Sequence, residues 1–145
     1  MALAPRGPRR HIYAVPVTLP PYALSVPTFR FRHLAALAGR APIGGAREVA
    51  LACFVAARLA AECGRSTAEE PTGRAARCAG AKAWLGTLAL PASVRAAVSR
   101  CAELSVEGKP EQMGREVAAL AVAAASYLDG HSRAELERLS VGLRA

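Results

Sequence analysis

Apolar and polar residues repeat with a helical period along most of this chain, most clearly over residues 110–128. Apolar side chains recur there every three or four residues, on one face of a helix: Met113, Val117, Leu120, Ala124 and Leu128. Charged side chains occupy the other face of the first two turns, and none follows Glu116 until Asp129. We therefore predict one continuous helix over 110–128, about 28 Å long, whose second half is enclosed nearly all round.

The same periodicity predicts further helices on both sides of this segment. They cover about 46–63, 74–88 and 91–106, and a last short helix follows residue 132. Ser132 and Glu135 form an S-x-x-E pattern, which predicts a capping box with Ser132 as the N-cap of the last helix. The connections between the helices are short, which favours antiparallel packing. We expect the apolar face of 110–128 to be buried against the helices over 46–63 and 91–106.

The composition favours the same architecture. Hydrophobic residues make up 52% of the chain, with alanine dominant, while aromatic residues make up only 5%. Alanine is the best helix former, and the residues that favour strands are scarce outside the N-terminus. The predicted fold class is therefore all-α: an antiparallel bundle of four to five Ala-rich helices preceded by an extended Pro-rich basic N-terminal arm. We assign the arm to residues 1–45 and the bundle domain to residues 46–145.

The predicted arm differs from the rest of the chain in proline content and in charge. It holds seven of the ten prolines, which disfavours helix and favours extended backbone, although residues 33–38 suit a short helical turn. It has six arginines and no acidic residue, so it contributes +6 to the net charge of +8. It is also rich in apolar side chains, unlike ordinary disordered segments. We therefore expect the arm to lie on a surface.

Arginines alternate with aromatic residues along the arm, and this pattern is the strongest functional signal in the sequence. The stretch 29–33 reads FRFRH, which places arginine and aromatic side chains on opposite sides of an extended strand. Such a segment suits RNA phosphates and bases, or a groove of a partner protein. The residues predicted to bind the partner are Arg9, Arg10, Tyr13, Tyr22, Phe29, Arg30, Phe31 and Arg32. An organelle-targeting peptide and a basic tail without a partner are the alternatives.

Cysteine and histidine spacings do not suggest a metal site. The intervals between Cys53, Cys63, Cys78 and Cys101 are 10, 15 and 23 residues, and the three histidines are far apart. Zinc ligands usually come in closely spaced pairs, so we expect the cysteines to pack as small hydrophobic residues. We predict no metal, no cofactor and no catalytic residue. The sequence favours a non-catalytic protein and leaves an enzymatic role open.

The predicted compartment is intracellular and reducing, either the cytoplasm or an organelle matrix. The cysteines show no disulfide pattern, and prolines interrupt any hydrophobic region of a secretory signal after Arg10. No run approaches the roughly 20 apolar residues of a membrane span.

Three functions stay open at this point. The favoured one is a non-catalytic accessory or structural subunit that docks into a larger protein or ribonucleoprotein assembly through its arm. The second is a small helix-turn-helix-like DNA-binding regulator that uses residues 117–143, although the near-zero charge of its last helix disfavours DNA binding. The third is a helical small-molecule-binding protein or enzyme with a pocket near Cys78, Lys82 and Trp84. A lysine amine enclosed by an apolar wall would be the reactive group there.

Overall fold

A computed structural model describes residues 31–63, 71–107 and 109–145 of the chain. Within these ranges the protein is all-helical and contains no strand, so the predicted all-α class is confirmed for them. The helices are α1 (Arg32–Arg40), α2 (Ala46–Glu62), α3 (Pro71–Leu85), α4 (Ala92–Glu107), α5 (Pro110–Ala123) and α6 (Gly130–Arg144), with a 3-10 turn at Ala125–Tyr127. None of these helices combines the length and apolar character that a membrane span requires.

The most enclosed helix is α2. Every residue from Val49 to Ala60 is buried, and α1, α4, α5 and α6 all pack on this helix. Alanine fills many of these positions, and its small side chain lets neighbouring helices contact α2 from several sides. The apolar periodicity of 110–128 makes α5 the clearest helix in the sequence. In the structure α2 takes the inner position.

The prediction of one continuous helix over 110–128 is wrong, because α5 ends at Ala123. The amide of Ala124 still donates to Leu120 O, at 2.8 Å, but the amide of Tyr127 donates to Ala124 O, at 2.9 Å. The hydrogen-bond step thus shortens from four residues to three, which tightens the last turn. Tyr127 and Leu128 pack against the core after this change of direction. Both side chains are thereby partly buried.

The predicted apolar face of α5 is confirmed as buried. The side chains of Met113, Val117, Leu120 and Ala124 have no exposed surface. They lie in the main core, where α5 packs on α2 and α4 as expected. The most extensive contact of α5, however, is with α6.

The packing of α5 on α6 depends on Gly114. A Cβ atom at this position would lie 2.9 Å from Ser140 O and 2.6 Å from Arg144 Cγ. The Ser140 hydroxyl donates a buried hydrogen bond to Gly114 O, at 2.8 Å. The beginning of α5 therefore contacts the end of α6, while a short connection joins the end of α5 to the beginning of α6. The two helices form an antiparallel hairpin.

The N-cap of α6 is Asp129, and the prediction that Ser132 is the N-cap is wrong. Asp129 Oδ1 accepts a hydrogen bond from the backbone N–H of Ser132, at 2.7 Å, and α6 begins at Gly130. This hydrogen bond is the main reason that the pKa of Asp129 lies below its usual value. Aspartate is among the strongest N-cap residues, and its charge suits the positive end of a helix. Ser132 is left inside the first turn.

The short helical turn predicted for 33–38 is a full helix, α1, and it belongs to the packed part of the protein. Leu34 and Ala38 are buried, and Phe31 directly before the helix has no exposed surface. α1 packs mainly on α2 and also contacts α6.

Candidate functional site at the junction of α1 and α6

Two of the eight residues predicted to bind a partner are described by the structure. Arg32 is exposed at the first position of α1, whereas Phe31 is 0% exposed in the main core. The Phe31 side chain therefore anchors α1 to the protein instead of offering a surface to a partner. The other six lie outside the described residues: Arg9, Arg10, Tyr13, Tyr22, Phe29 and Arg30.

The first turns of α1 and α6 meet, and their histidines mark the contact. The rings of His33 and His131 stack with centroids 4.8 Å apart and planes inclined by 18°. These two residues are 98 positions apart in the sequence, so no local pattern pairs them. The contact places the beginning of α1, where the described chain starts, directly against the beginning of α6.

Glu135 connects α6 to the backbone of α1. It is 1% exposed, and its carboxylate accepts a hydrogen bond from the backbone N–H of Leu34 in the first turn of α1. α1 has no side-chain cap of its own, since Phe31 occupies its N-cap position. A carboxylate at this end of a helix binds an otherwise unpaired amide and is favoured by the helix dipole. Glu135 therefore serves as a cap supplied by another helix.

The surroundings of Glu135 have opposing effects on its pKa. Desolvation raises the pKa of its carboxyl group, and the nearby His33, the Leu34 amide and Arg138 oppose that rise. One of its two oxygens, Oε1, has no hydrogen-bond partner among the described residues. Sequence reasoning assigned Glu135 to a capping box in its own helix. Its spacing of four residues from the apolar Leu139 was the available signal that it faces inward.

A shallow groove of about 340 Å³ lies between α3 and α4, near the residues proposed for an enzyme or ligand site. It is lined by Ala75, Cys78, Ala79, Lys82, Glu103 and Val106. Lys82 Nζ lies at its rim, 3.2 Å from Glu103 Oε2, and its side chain is 45% exposed. Glu103 Oε1 also pairs with Arg100, at 2.6 Å. The amine is thus ion-paired and partly exposed, and Trp84 packs on the core instead of lining this groove. This arrangement gives no support to a reactive lysine.

Three of the four cysteines lie in the main apolar core. Cys53, Cys63 and Cys101 are buried, which confirms that these three pack as small hydrophobic residues, and Cys78 is partly exposed. Burial raises the pKa of the Cys53 thiol to about 12 and also raises those of Cys78 and Cys101. A raised pKa disfavours the thiolate, which is the form that attacks electrophiles and binds metals. Among the described residues, no group of three or more potential ligands could hold a metal ion.

The hairpin of α5 and α6 covers the segment considered for DNA binding. In a helix-turn-helix the two helices cross at about 90–120°, which frees the second helix to enter the major groove. Here the beginning of α5 contacts the end of α6, so the helices run alongside each other. On the exposed side of α6, Arg133 is paired with Glu137 at 3.2 Å. This geometry does not favour the DNA-binding hypothesis.

Comparison of this chain with protein-family models, with curated proteins and with solved structures finds no significant match.

Proposed function

We propose that the protein is a non-catalytic accessory subunit that docks into a larger protein or ribonucleoprotein assembly through its N-terminal arm. In this proposal the helices form a bundle that serves as the body. The residues that contact the partner are Arg9, Arg10, Tyr13, Tyr22, Phe29, Arg30 and Arg32. Phe31 is assigned to the core, because its side chain is fully buried.

The observation that carries the proposal is the firm attachment of α1. Phe31 and Leu34 insert into the main core, and Glu135 binds the Leu34 amide from α6. These contacts hold the first described residues at the α1–α6 junction, so a partner bound to the residues before them would be linked firmly to the helices. An accessory subunit needs such a connection. If the binding segment were joined to the helices by a flexible linker, binding of that segment would not fix the orientation of the helices on the partner.

The charge distribution supports the same proposal. The first 45 residues contain six arginines and no acidic residue, combined with four of the protein's aromatic residues in Tyr13, Tyr22, Phe29 and Phe31. Arginine binds phosphate and carboxylate groups in a forked geometry and also stacks on aromatic rings. A partner with an acidic surface, or an RNA, is therefore complementary to this segment.

The decisive experiment removes residues 1–30 and retains Phe31. The full chain and the truncated chain, carrying the same C-terminal tag, are purified from the natural host, and the co-purifying molecules are quantified with and without ribonuclease. We expect the truncated protein to keep its helical circular dichroism spectrum and to lose its partner. Retention of the partner by a folded truncated protein would contradict the proposal. Sensitivity to ribonuclease separates an RNA-containing assembly from a purely protein one.

A charge-reversal pair provides the matched test in the full chain. Arg9→Glu combined with Arg10→Glu should reduce co-purification of the partner strongly. The control is Lys109→Glu combined with Arg115→Glu, which changes the net charge equally at exposed positions near the beginning of α5. That end of the hairpin is opposite the α1–α6 junction. Equal losses in both pairs would show a general effect of charge and would count against a specific role of the arm.

A further inference from the structure

The outer face of α6 carries an apolar groove that no other described helix covers. Val141 is 60% exposed and lines two adjoining depressions of about 490 Å³ and about 290 Å³. We name as the α6 groove the surface formed by Ala134, Glu137, Arg138, Val141 and Gly142, which continues along the helix to Ala145. Removing the apolar surface of this valine from water would be favourable, so contact with a partner would stabilise it.

The spacing along the α6 groove matches the surface that a helix presents to another helix. Ala134, Val141 and Ala145 are separated by seven and four residues, so they lie in line on one face. Gly142 adds space beside them, since a Cβ atom built there meets no other atom within 4 Å. Small residues around one larger side chain leave room for the apolar knobs of a second helix.

The charges around the α6 groove specify what kind of helix it suits. Arg133, Arg138 and Arg144 flank it together with one acidic residue, Glu137. Arg133 pairs with Glu137, Arg138 lies near the buried Glu135, and Arg144 Nε donates to Ser140 O at 3.3 Å, so the arginines still outnumber the acidic residues around the groove. The groove therefore has an apolar floor and an excess of positive charge at its edges. Its electrostatic complement is a helix with an apolar face and acidic flanks.

We propose that the α6 groove docks an acidic amphipathic helix of a partner protein. This surface differs from the N-terminal arm, so the proposal goes beyond the function proposed above. A second copy of this chain fits less well, because two faces with the same excess of positive charge would repel each other. RNA also fits less well, because the groove offers no aromatic side chain for stacking and carries Glu137 among its arginines.

The test uses the full chain and a synthetic probe of stated design. The probe is a fluorescein-labelled three-heptad peptide with leucine at the a and d positions and glutamate at the flanking positions. A second probe has lysine in place of every glutamate. We expect fluorescence anisotropy to show saturable binding of the acidic peptide and much weaker binding of the basic one. Equal binding of both peptides would overturn the proposal, because charge complementarity would then be irrelevant.

A pair of exposed valines locates the binding surface. Val141→Glu should weaken binding of the acidic peptide roughly tenfold or more, as loss of a central contact does. Val122→Glu is the matched control, since Val122 is 76% exposed on α5 and lines neither depression. The control should bind like the unaltered protein. Equal binding by all three proteins would place the peptide elsewhere, for example on the basic arm, and would overturn the proposal.

Two further measurements close the remaining alternatives. Arg138→Glu should weaken binding of the acidic peptide and strengthen binding of the lysine peptide, a reversal that partial unfolding could not produce. In sedimentation velocity we expect the unaltered protein and Val141→Glu to have the same oligomeric state. A dimer lost in that variant would overturn the proposal in favour of self-association. Binding of a fluorescein-labelled single-stranded RNA is measured in the same way. If the protein binds this RNA but not the acidic peptide, and Val141→Glu abolishes the RNA binding, the proposal is overturned in favour of RNA.

Discussion

The helices α2 and α6 have similar lengths but differ in which residues they bury: α2 buries apolar side chains, whereas α6 also buries polar ones and exposes a valine. In α2 the buried residues are almost all apolar, from Val49 to Ala60, with Arg58 as the exception. In α6 the buried set includes Ser132, Glu135 and Ser140, while Val141 stays exposed. Apolar burial explains α2, since every methyl group removed from water stabilises it. α6 is also held by specific hydrogen bonds to α1 and α5, and its apolar Val141 is exposed among the described residues.

The largest expected effect tests the core position of α2. Leu59→Ala removes a side chain that is 1% exposed, and we expect it to lower the free energy of unfolding by about 2–5 kcal/mol. The comparison is Val141→Ala in α6, which should change stability by no more than about 0.5 kcal/mol. Urea unfolding of both variants measures the difference. Equal losses would mean that Val141 is buried in solution, and the contrast between the helices would disappear.

The next effect concerns the contact of α5 with α6. Gly114→Ala should destabilise the protein by about 1–3 kcal/mol, because the added methyl group would overlap the Ser140 carbonyl oxygen. Gly142→Ala makes the same change on the open side of α6, where nothing lies within 4 Å. It should stabilise by up to about 1 kcal/mol, since alanine is the better helix former. Thermal and urea unfolding decide the sign of each change, and a neutral Gly114→Ala would refute the close approach.

A smaller effect is expected at the N-cap of α6. Asp129→Ala should cost about 1 kcal/mol of stability near neutral pH, because the Ser132 amide loses its acceptor. Asp129→Asn retains an acceptor and should recover most of this loss. The pKa of Asp129 is lowered in the folded protein, so its contribution exists above the unfolded-state pKa and disappears as the pH falls through the folded-state value. Urea titrations should show the stability of the unaltered protein falling towards that of Asp129→Ala in acid, while the advantage of Asp129→Asn over Asp129→Ala stays the same because asparagine does not titrate.

The smallest expected effect concerns Glu135, the buried carboxylate of α6. Burial raises the pKa of Glu135, so the folded protein binds this proton more tightly than the unfolded chain does. Its contribution should therefore favour folding at pH values below the unfolded-state pKa and decline as the pH rises through the folded-state value. Glu135→Gln keeps a hydrogen-bond acceptor for Leu34 and removes this dependence. We expect the stability of the unaltered protein, relative to Glu135→Gln, to increase as the pH is lowered from 7 to 5.

Glu137→Gln is the control for that comparison. It removes a negative charge two residues further along the same helix, at an exposed position. Urea unfolding at pH 5, 6 and 7 follows all three proteins. A pH dependence of the unaltered protein identical to that of Glu135→Gln would show that the buried carboxylate does not cause it.

The sequence predicted the helices better than it predicted the candidate site. The arginine and aromatic pattern of the arm identified Arg32 and Phe31 together, yet the structure exposes the first and buries the second. An extended segment of alternating residues says which side chains share a face, but it does not say which face the protein covers. The junction histidines and the role of Glu135 were missed, because their partners lie on another helix. For residues 1–30, partner binding stays a prediction.

The sequence by itself determined the helical class and the approximate places of its long helices. The alanine-rich composition, the apolar period and the punctuation by proline and glycine act over a few residues, so a helix such as α2 could be placed from Ala46 onwards without its neighbours. Only the tertiary structure decided that α5 stops at Ala123, that Glu135 turns inward and that Phe31 joins the core. Each of these depends on contacts between residues far apart in the chain, and the free energy of such contacts exceeds the weak local preferences that they override.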